Sequence, residues 1–106
     1  MGAGGTAANS PVITTTTDKD ATTGIYGGRV VFFNGTAGTG YDWATTASAS
    51  SPYTLSAYSS YTTLPTSGGD PTVNYNLTAS ATLVGAVSAN TLKFAAPATA
   101  QILDLG

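Results

Sequence analysis

The sequence predicts an all-β fold, a single small antiparallel β-sandwich or barrel of about six to eight strands. Residues 73–84 alternate apolar and polar side chains without a break, which is typical of a strand with one buried and one solvated face. Threonine, whose β-branched side chain suits strands better than helices, supplies nearly a fifth of the 106 residues. Short apolar runs separated by glycine, proline and asparagine complete this pattern.

The N-terminal residues predict an extended arm, residues 1–17, ahead of a β domain formed by residues 18–106. Residues 1–10 are small and rich in Gly and Ala, and they carry neither the basic nor the apolar segment of a signal peptide. Residues 11–17 start with a proline and then have strong β propensity, which fits an edge or exchanged strand. Because the chain has little apolar surface of its own to hold such an arm, we expect the arm to pack on a neighbouring subunit.

The next segments predict a turn, a bend, a strand and a long loop. Residues 18–20 form a polar turn, and three glycines in residues 24–28 indicate a bulge or a tight bend. Residues 29–33 are apolar on both faces and predict a central strand, which an Asn-Gly pair ends with a strong hairpin signal. Residues 36–51 predict a loop that is pinned by Trp43.

The second half of the chain predicts further strands. Residues 53–58, 91–94 and 100–105 have strand patterns, and residues 65–71 form a turn or loop. In residues 73–84 the polar side chains between the apolar ones are expected to face solvent. The side chains expected to be buried in this half are Val73, Tyr75, Leu77, Ala79, Ala81, Leu83, Leu92, Phe94, Ile102, Leu103 and Leu105.

Charge and residue usage argue against several functions. With three cationic side chains and a net charge of −2, the chain lacks the basic surface that phosphate backbones require. No apolar run is long enough to cross a bilayer. Cysteine, histidine and glutamate are absent, which removes thiolate chemistry, the commonest general base and the commonest metal ligand. We therefore expect no enzymatic activity, no catalytic residues, no cofactor and no cofactor-binding residues.

Two stretches resemble ligand-binding loops but lack essential parts of them. Residues 18–24 place oxygen atoms at alternate positions, as a calcium loop does, yet no glycine stands at the sixth position and Arg29 stands at the twelfth. The glycines of residues 35–40 have the wrong spacing for a dinucleotide loop, and no Lys-Ser/Thr pair follows them. We expect a solvated turn, a flexible loop and no metal.

Aromatic residues crowd into the middle of the chain. Tyr and Trp are enriched in protein interfaces, but they serve equally as core residues, and beside Asp and Asn they can form a platform for sugars. A carbohydrate-binding module that uses residues 41–43 is therefore one alternative. The residues that we predict to lie in an interface are Val12, Ile13, Tyr41, Trp43 and Tyr58.

A small Cys-free and His-free β chain with almost no charge and a Gly-rich N-terminal segment, residues 2–17, resembles the small decoration or cement proteins of tailed-bacteriophage capsids. The resemblance implies a β-rich body, commonly trimeric, on the outer face of the major capsid protein lattice, with an arm that clamps adjacent subunits. The expected function is thus that of a non-enzymatic structural protein of a viral particle, located on the outer capsid surface. The expected partners are the major capsid protein or copies of the chain itself in a homo-oligomer, a trimer being favoured, with neither nucleic acid nor membrane.

The composition supports assembly independently of this resemblance. Leu, Ile, Val and Phe together make up less than a fifth of the chain, so the core is thin and further burial between subunits would add stability. The same reasoning leaves another alternative open, a subunit of an extracellular or cell-surface filament or adhesin in which residues 11–17 are donated to the next subunit's sheet.

Overall fold

The computed structural model describes residues 12–33, 41–95 and 101–106, and it confirms the all-β class. About 48% of these residues lie in strands and none of them lies in a helix. The chain divides into two compact units, Met1–Ser59 and Ser60–Gly106. The division into an arm of residues 1–17 and a domain of residues 18–106 stays a prediction, because residues 1–11 lie outside the described part of the chain.

The first unit is a curled antiparallel sheet. Its strands are β1 (Thr14–Thr15), β2 (Val31–Phe33), β3 (Tyr41–Thr46) and β4 (Tyr53–Ala57). They lie in the order β1-β4-β3-β2. Ile25 is fully buried in this unit, together with Ala44 and Thr46 of β3. The bend that carries Ile25 was predicted from its glycines, and Gly24 and Gly27 indeed adopt positive φ angles of 77° and 88°.

Two sequence predictions for this unit are wrong. Residues 36–51 were expected to form a loop, but Tyr41–Thr46 is a six-residue strand with hydrogen-bonded neighbours on both sides. Its small residues Ala44 and Thr46 are buried, and its β-branched Thr residues suit a strand. Residues 29–33 were expected to form a central strand, whereas β2 is at the end of the sheet order, since β3 and β4 occupy the centre. The strand predicted at residues 53–58 is confirmed as β4.

The second unit differs from the expected antiparallel sheet because its strand pairs are parallel. Its strands are β5 (Thr62–Thr63), β6 (Gly68–Leu77), β7 (Ala81–Thr82), β8 (Val87–Phe94) and β9 (Leu103–Asp104). They form a three-stranded sheet in the order β5-β6-β8 and a two-stranded sheet of β7 and β9. Residues 78–86, which contain β7, return the chain so that β8 starts beside the start of β6, as a parallel pair requires.

The core of the second unit is formed by Leu64, Tyr75 and Leu77. Partly buried apolar side chains pack against it, namely Val73, Ala81, Val87, Leu92 and Leu103. The long alternation of residues 73–84 therefore marks the core face correctly at Tyr75 and Leu77. It does not mark one continuous strand, because β6 ends at Leu77 and β7 starts only at Ala81.

Several side chains of this unit are not where the alternation places them. Asn74 was expected to face solvent but is only 1% exposed. Phe94, Ile102 and Leu105 were expected to be buried but are 49%, 68% and 75% exposed. Residues 65–71 were expected to be a loop, yet β6 already starts at Gly68. The reason is the parallel pairing with β8, which recruits Gly68 and the residues after it although their side chains carry no strand pattern.

Candidate interaction surfaces

The first candidate surface is a set of apolar side chains on β2 and β3. The register pairs Val31 with Trp43 and Phe33 with Tyr41. Directly paired residues lie on the same side of a sheet, so these four side chains share one face, which we call the aromatic face. The rings of Phe33 and Tyr41 stack with their centroids 4.5 Å apart and their planes at 19°. Tyr41 remains 54% exposed, so this stack presents an aromatic ring to solvent.

Hydrogen bonds to the backbone of β3 hold the aromatic face in place. The Ala44 carbonyl accepts a hydrogen bond from the Tyr26 N–H at 3.0 Å, and the Ala44 N–H donates to the Val30 carbonyl at 3.0 Å. The Lys19 Nζ donates to the carbonyl of buried Thr46 at 2.6 Å. Since rigid scaffolds favour binding by reducing the ordering cost, this frame suits a contact surface.

The five residues predicted to lie in an interface occupy different places within the first unit. Tyr41 and Trp43 come together on the aromatic face, and the Trp43 carbonyl accepts a hydrogen bond from the Tyr58 N–H at 2.8 Å. Val12 is 74% exposed. Half-buried Ile13 joins β1 to β4 through its carbonyl, which accepts from the Leu55 N–H at 2.9 Å. Their role in an interface stays a prediction.

Val31 and Phe33 were not among the residues predicted to lie in an interface. Both were assigned to the interior because residues 29–33 are apolar on both faces, but both are only half-buried. The hairpin signal after Phe33 contained the missing information. It implied that β2 folds back antiparallel on the next strand, which places Phe33 opposite Tyr41.

The second candidate surface is the side of β8 that does not face β6, which we call the β8 edge. Among the described strands, β8 has β6 as its only neighbour. β8 is eight residues long, and Ser88, Ala89 and Asn90 in its first half are exposed. Exposed strand edges of this length offer unpaired N–H and C=O groups to another strand.

The third candidate surface is the outer face of the β7 and β9 pair. Ala81 and Leu103 are paired and pack on the core, so the alternate residues point outwards. An open depression of about 310 Å³ lies on this side. It is lined by Ser80, Ala81, Thr82, Ile102 and Asp104. Exposed Val84 and Leu105 follow β7 and β9 in the chain.

Local hydrogen bonds organise the backbone around two of the carboxylates. The backbone N–H groups of Thr23 and Thr22 donate to Asp20 and lower the pKa of its carboxyl, as hydrogen bonds to the charged form do. Thr72 lowers the pKa of Asp70 through its hydroxyl and its backbone N–H. Asp20 thus serves as a turn acceptor, which agrees with the solvated turn expected for residues 18–24, whereas Asp70 accepts hydrogen bonds within β6.

Tyr26 differs from these carboxylates because its polar group is buried. Its hydroxyl has no hydrogen-bond partner among the described residues, and burial raises its pKa, with further contributions from Asp18 and Tyr53. A phenol in such a position is harder to ionise and less suited to act as a base.

Neither side-chain clusters nor known relatives assign a function to this chain. The described residues contain no group of three or more carboxylates that would surround a metal ion, and they contain no helix of the length and hydropathy that spans a bilayer. Comparison with protein-family models, with curated proteins and with solved structures finds no match. The three candidate surfaces are therefore the features from which a function is argued.

Proposed function

We propose that this chain is a non-enzymatic structural protein of a viral particle that decorates or cements the major capsid protein lattice. The observation that carries the proposal is that the described part of the chain leaves several large apolar side chains exposed while it buries few of them fully. The exposed large apolar side chains are Val12, Tyr41, Val84, Phe94, Ile102 and Leu105. The buried ones, apart from Ala44, are Ile25, Leu64, Tyr75 and Leu77.

An assembly partner would make this distribution favourable. Burying one such side chain fully is worth about 1.5–3 kcal/mol, and the interior of each unit offers few of these gains. A single exposed apolar residue on a monomer is ordinary, but several of them beside a core with few fully buried side chains suit a protein that covers its surface by association.

The weak charge of the chain favours a densely packed assembly. Charged residues make up 8% of the sequence and the net charge is −2, so neighbouring copies repel each other little. The assignment to a viral particle is supported by the resemblance to capsid decoration proteins in size, composition and the Gly-rich segment of residues 2–17. The partner in this proposal is a major capsid protein or further copies of the chain.

Sedimentation of native particles tests the proposal. A lysate of the cells that produce the chain is separated on a density gradient, and the fractions are probed with an antibody against the chain. We expect the chain to sediment with large particles whose most abundant component is one coat protein. The proposal is wrong if intact particles sediment without the chain while the chain stays in the light fractions.

A second candidate, a filament subunit that donates a strand, is favoured by the position of β1. This strand is two residues long and lies at the edge of its sheet, where it pairs with Thr54 and Tyr53 of β4. A neighbouring copy could supply the same residues to the same place. This candidate predicts open-ended polymers of graded length in light scattering, and recovery of the chain in material sheared from the cell surface.

A further inference from the structure

We propose that two copies of this chain join through their β8 edges, antiparallel and around a two-fold axis, so that two three-stranded sheets become one continuous sheet. This inference rests on the proposed structural function in one respect, that copies of the chain meet in the assembly. It names the surface that a second copy occupies, which the proposed function leaves open.

The backbone directions along β8 come from its pairing with β6. The Gly68 N–H donates to the Ala86 carbonyl at 2.7 Å while Gly68 is paired with Val87. In a parallel pair a residue bonds to the two residues that flank its partner, so the N–H and C=O of Val87 point away from β6. By alternation, the backbone of Ala89 points the same way.

In the second half of β8 the residues that point away from β6 again alternate, but they are the even-numbered residues instead of the odd-numbered ones. The Ala95 N–H donates to the Leu77 carbonyl at 3.0 Å while Leu77 is paired with Phe94, so the backbone groups of Phe94 point outwards, and by alternation those of Leu92. The two patterns meet between Ala89 and Leu92, opposite the irregularity between Asp70 and Asn74 in β6, so the backbone groups of Asn90 and Thr91 both point towards β6. As a result the outward-pointing residues are Val87, Ala89, Leu92 and Phe94.

These four positions are complementary to themselves in one antiparallel register. With the two-fold axis between Asn90 and Thr91, Val87 faces Phe94 of the second copy, and Ala89 faces Leu92. Each such pair joins two outward-pointing residues, which can exchange both N–H···O bonds. No other antiparallel register lets all four residues of both copies meet outward-pointing partners.

Side chains fit the same register. The exposed ring of Phe94 would lie beside the half-buried Val87 of the second copy, and pairs of an aromatic and a β-branched residue stabilise sheets. The one charge on β8, Lys93, would face Ser88. The two Lys93 residues would be roughly 16 Å apart along the strand, beyond the Debye length of about 8 Å at physiological salt. Lys93 also lies over the Tyr61 ring of its own chain, 5.2 Å from the ring centroid. Its charge is therefore not directed at the β8 edge, where it would oppose pairing with another strand.

Charge substitutions at Ser88 test the register in the intact chain. Ser88 is exposed, so its side chain can be changed without altering the core. The change Ser88→Lys sets a lysine opposite Lys93 at both ends of the joint, and Ser88→Glu sets a carboxylate there. From cross-strand pair energies we expect Ser88→Lys to weaken the dimerisation constant about two- to thirtyfold and Ser88→Glu to strengthen it over the same range. Both constants are measured by sedimentation equilibrium at low salt.

A second variant tests the edge itself. The change Ala89→Pro removes an outward-pointing N–H and leaves the bonds between β8 and β6 in place, so we expect it to abolish the dimer. Far-UV circular dichroism checks that each variant is folded. The inference is overturned by a wild-type chain that is monomeric at high micromolar concentration, by a trimer that does not respond to Ser88, or by equal constants for Ser88→Lys and Ser88→Glu.

The outcomes separate this inference from the proposed function. A chain that sediments with particles but does not dimerise through Ser88 and Ala89 retains its structural role and loses the β8 joint. A chain that dimerises as expected but does not sediment with particles retains the joint and loses the assignment to a viral particle.

Discussion

At the scale of single residues, the alternation in β6 predicts the burial of apolar side chains but not the burial of a polar one. An alternation of apolar and polar side chains predicts correctly that Tyr75 and Leu77 are buried, because apolar identity and burial coincide there. It fails at Asn74, which is buried despite its amide. The side-chain Oδ1 of Asn74 accepts hydrogen bonds from Asn90 Nδ2 at 2.8 Å and from Thr91 Oγ1 at 2.9 Å. Sequence alone does not show that these partners stand on the adjacent strand.

The substitution Asn74→Ala should destabilise the protein by about 1–3 kcal/mol, because it removes an acceptor that satisfies two donors and leaves a void in a buried place. Urea unfolding followed by circular dichroism measures this loss. The matched control is Asn76→Ala on the same strand, where the residue is half-buried and the expected change is below about 0.5 kcal/mol. Equal losses at both positions would show that the network around Asn74 contributes nothing particular.

A second residue-scale prediction concerns the hydroxyl of Tyr26. This group is buried and has no hydrogen-bond partner in the described part of the chain, so Tyr26→Phe removes a desolvated polar atom and keeps the ring. We expect the free energy of unfolding at neutral pH to rise by about 1 kcal/mol. A fall of similar size would mean that the hydroxyl makes a stabilising contact.

The pH dependence of this variant has a definite sign. The folded state raises the pKa of Tyr26 above its ordinary value of 10.0, chiefly through burial, so the folded state favours the protonated phenol. The associated stability is present below pH 10.0 and is lost as the pH rises through the folded pKa. Wild-type protein should therefore lose more stability than Tyr26→Phe as the pH rises above 10.0 in denaturant titrations.

At the scale of elements, a strand can be predicted from the sequence where its side chains alternate between apolar and polar. It cannot be predicted where the strand forms only because its backbone pairs with a neighbouring strand. The β4 strand and the core part of β6 carry apolar alternation and were predicted. The start of β6 consists of Gly68, Gly69, Asp70 and Pro71, which typify a turn, and it becomes a strand only because β8 lies beside it. The parallel direction of that pair was not predicted either, since alternation is the same in parallel and antiparallel strands.

The close approach of β6 and β8 at Gly69 yields an element-scale prediction. Gly69 has a φ of 89°, and a Cβ placed there would collide with the Ser88 carbonyl oxygen. Gly68 has a φ of 76°, but a Cβ there would meet no atom of the described residues within 4 Å. Both Gly→Ala changes cost about 1–2 kcal/mol through the left-handed backbone.

The difference between the two glycine variants isolates the packing of the strands. Gly69→Ala should lose a further 1–3 kcal/mol, roughly the cost of overpacking, because backbone atoms of β8 must move. Hydrogen exchange should also report faster exchange at Ser88 in Gly69→Ala than in Gly68→Ala. If both variants unfold at the same denaturant concentration, β6 and β8 can move apart at Gly69 without a measurable loss of stability.

At the scale of the whole molecule, composition was a better guide than motifs. The low content of Leu, Ile, Val and Phe predicted a thin core, and the described residues bury few large apolar side chains. The candidate surface was predicted in part, since Tyr41 and Trp43 lie together on the aromatic face while Phe33 was assigned to the interior. The β8 edge could not be predicted from the sequence, because whether a strand has a neighbour on one side depends on backbone pairing and not on its side-chain pattern.

The last prediction concerns the N-terminal arm and is made for the complete assembly. Removal of residues 1–11 should leave the sheet of the first unit intact, because Ile13, Thr14 and Thr15 themselves hold β1 against β4. A longer deletion, through residue 17, would also remove β1 and confuse binding with folding. In the proposed function the arm adds contact area on a neighbouring subunit. About 55 Å² of apolar contact suffices for a tenfold change in affinity, so we expect the truncated chain to bind particles at least about tenfold more weakly. Binding is measured by co-sedimentation with particles stripped of the chain, and a full-length variant with the order of residues 1–11 rearranged serves as the control for length. Equal affinity of the truncated and complete chains would remove the arm from the mechanism and leave the aromatic face and the β8 edge as the surfaces that hold the assembly together.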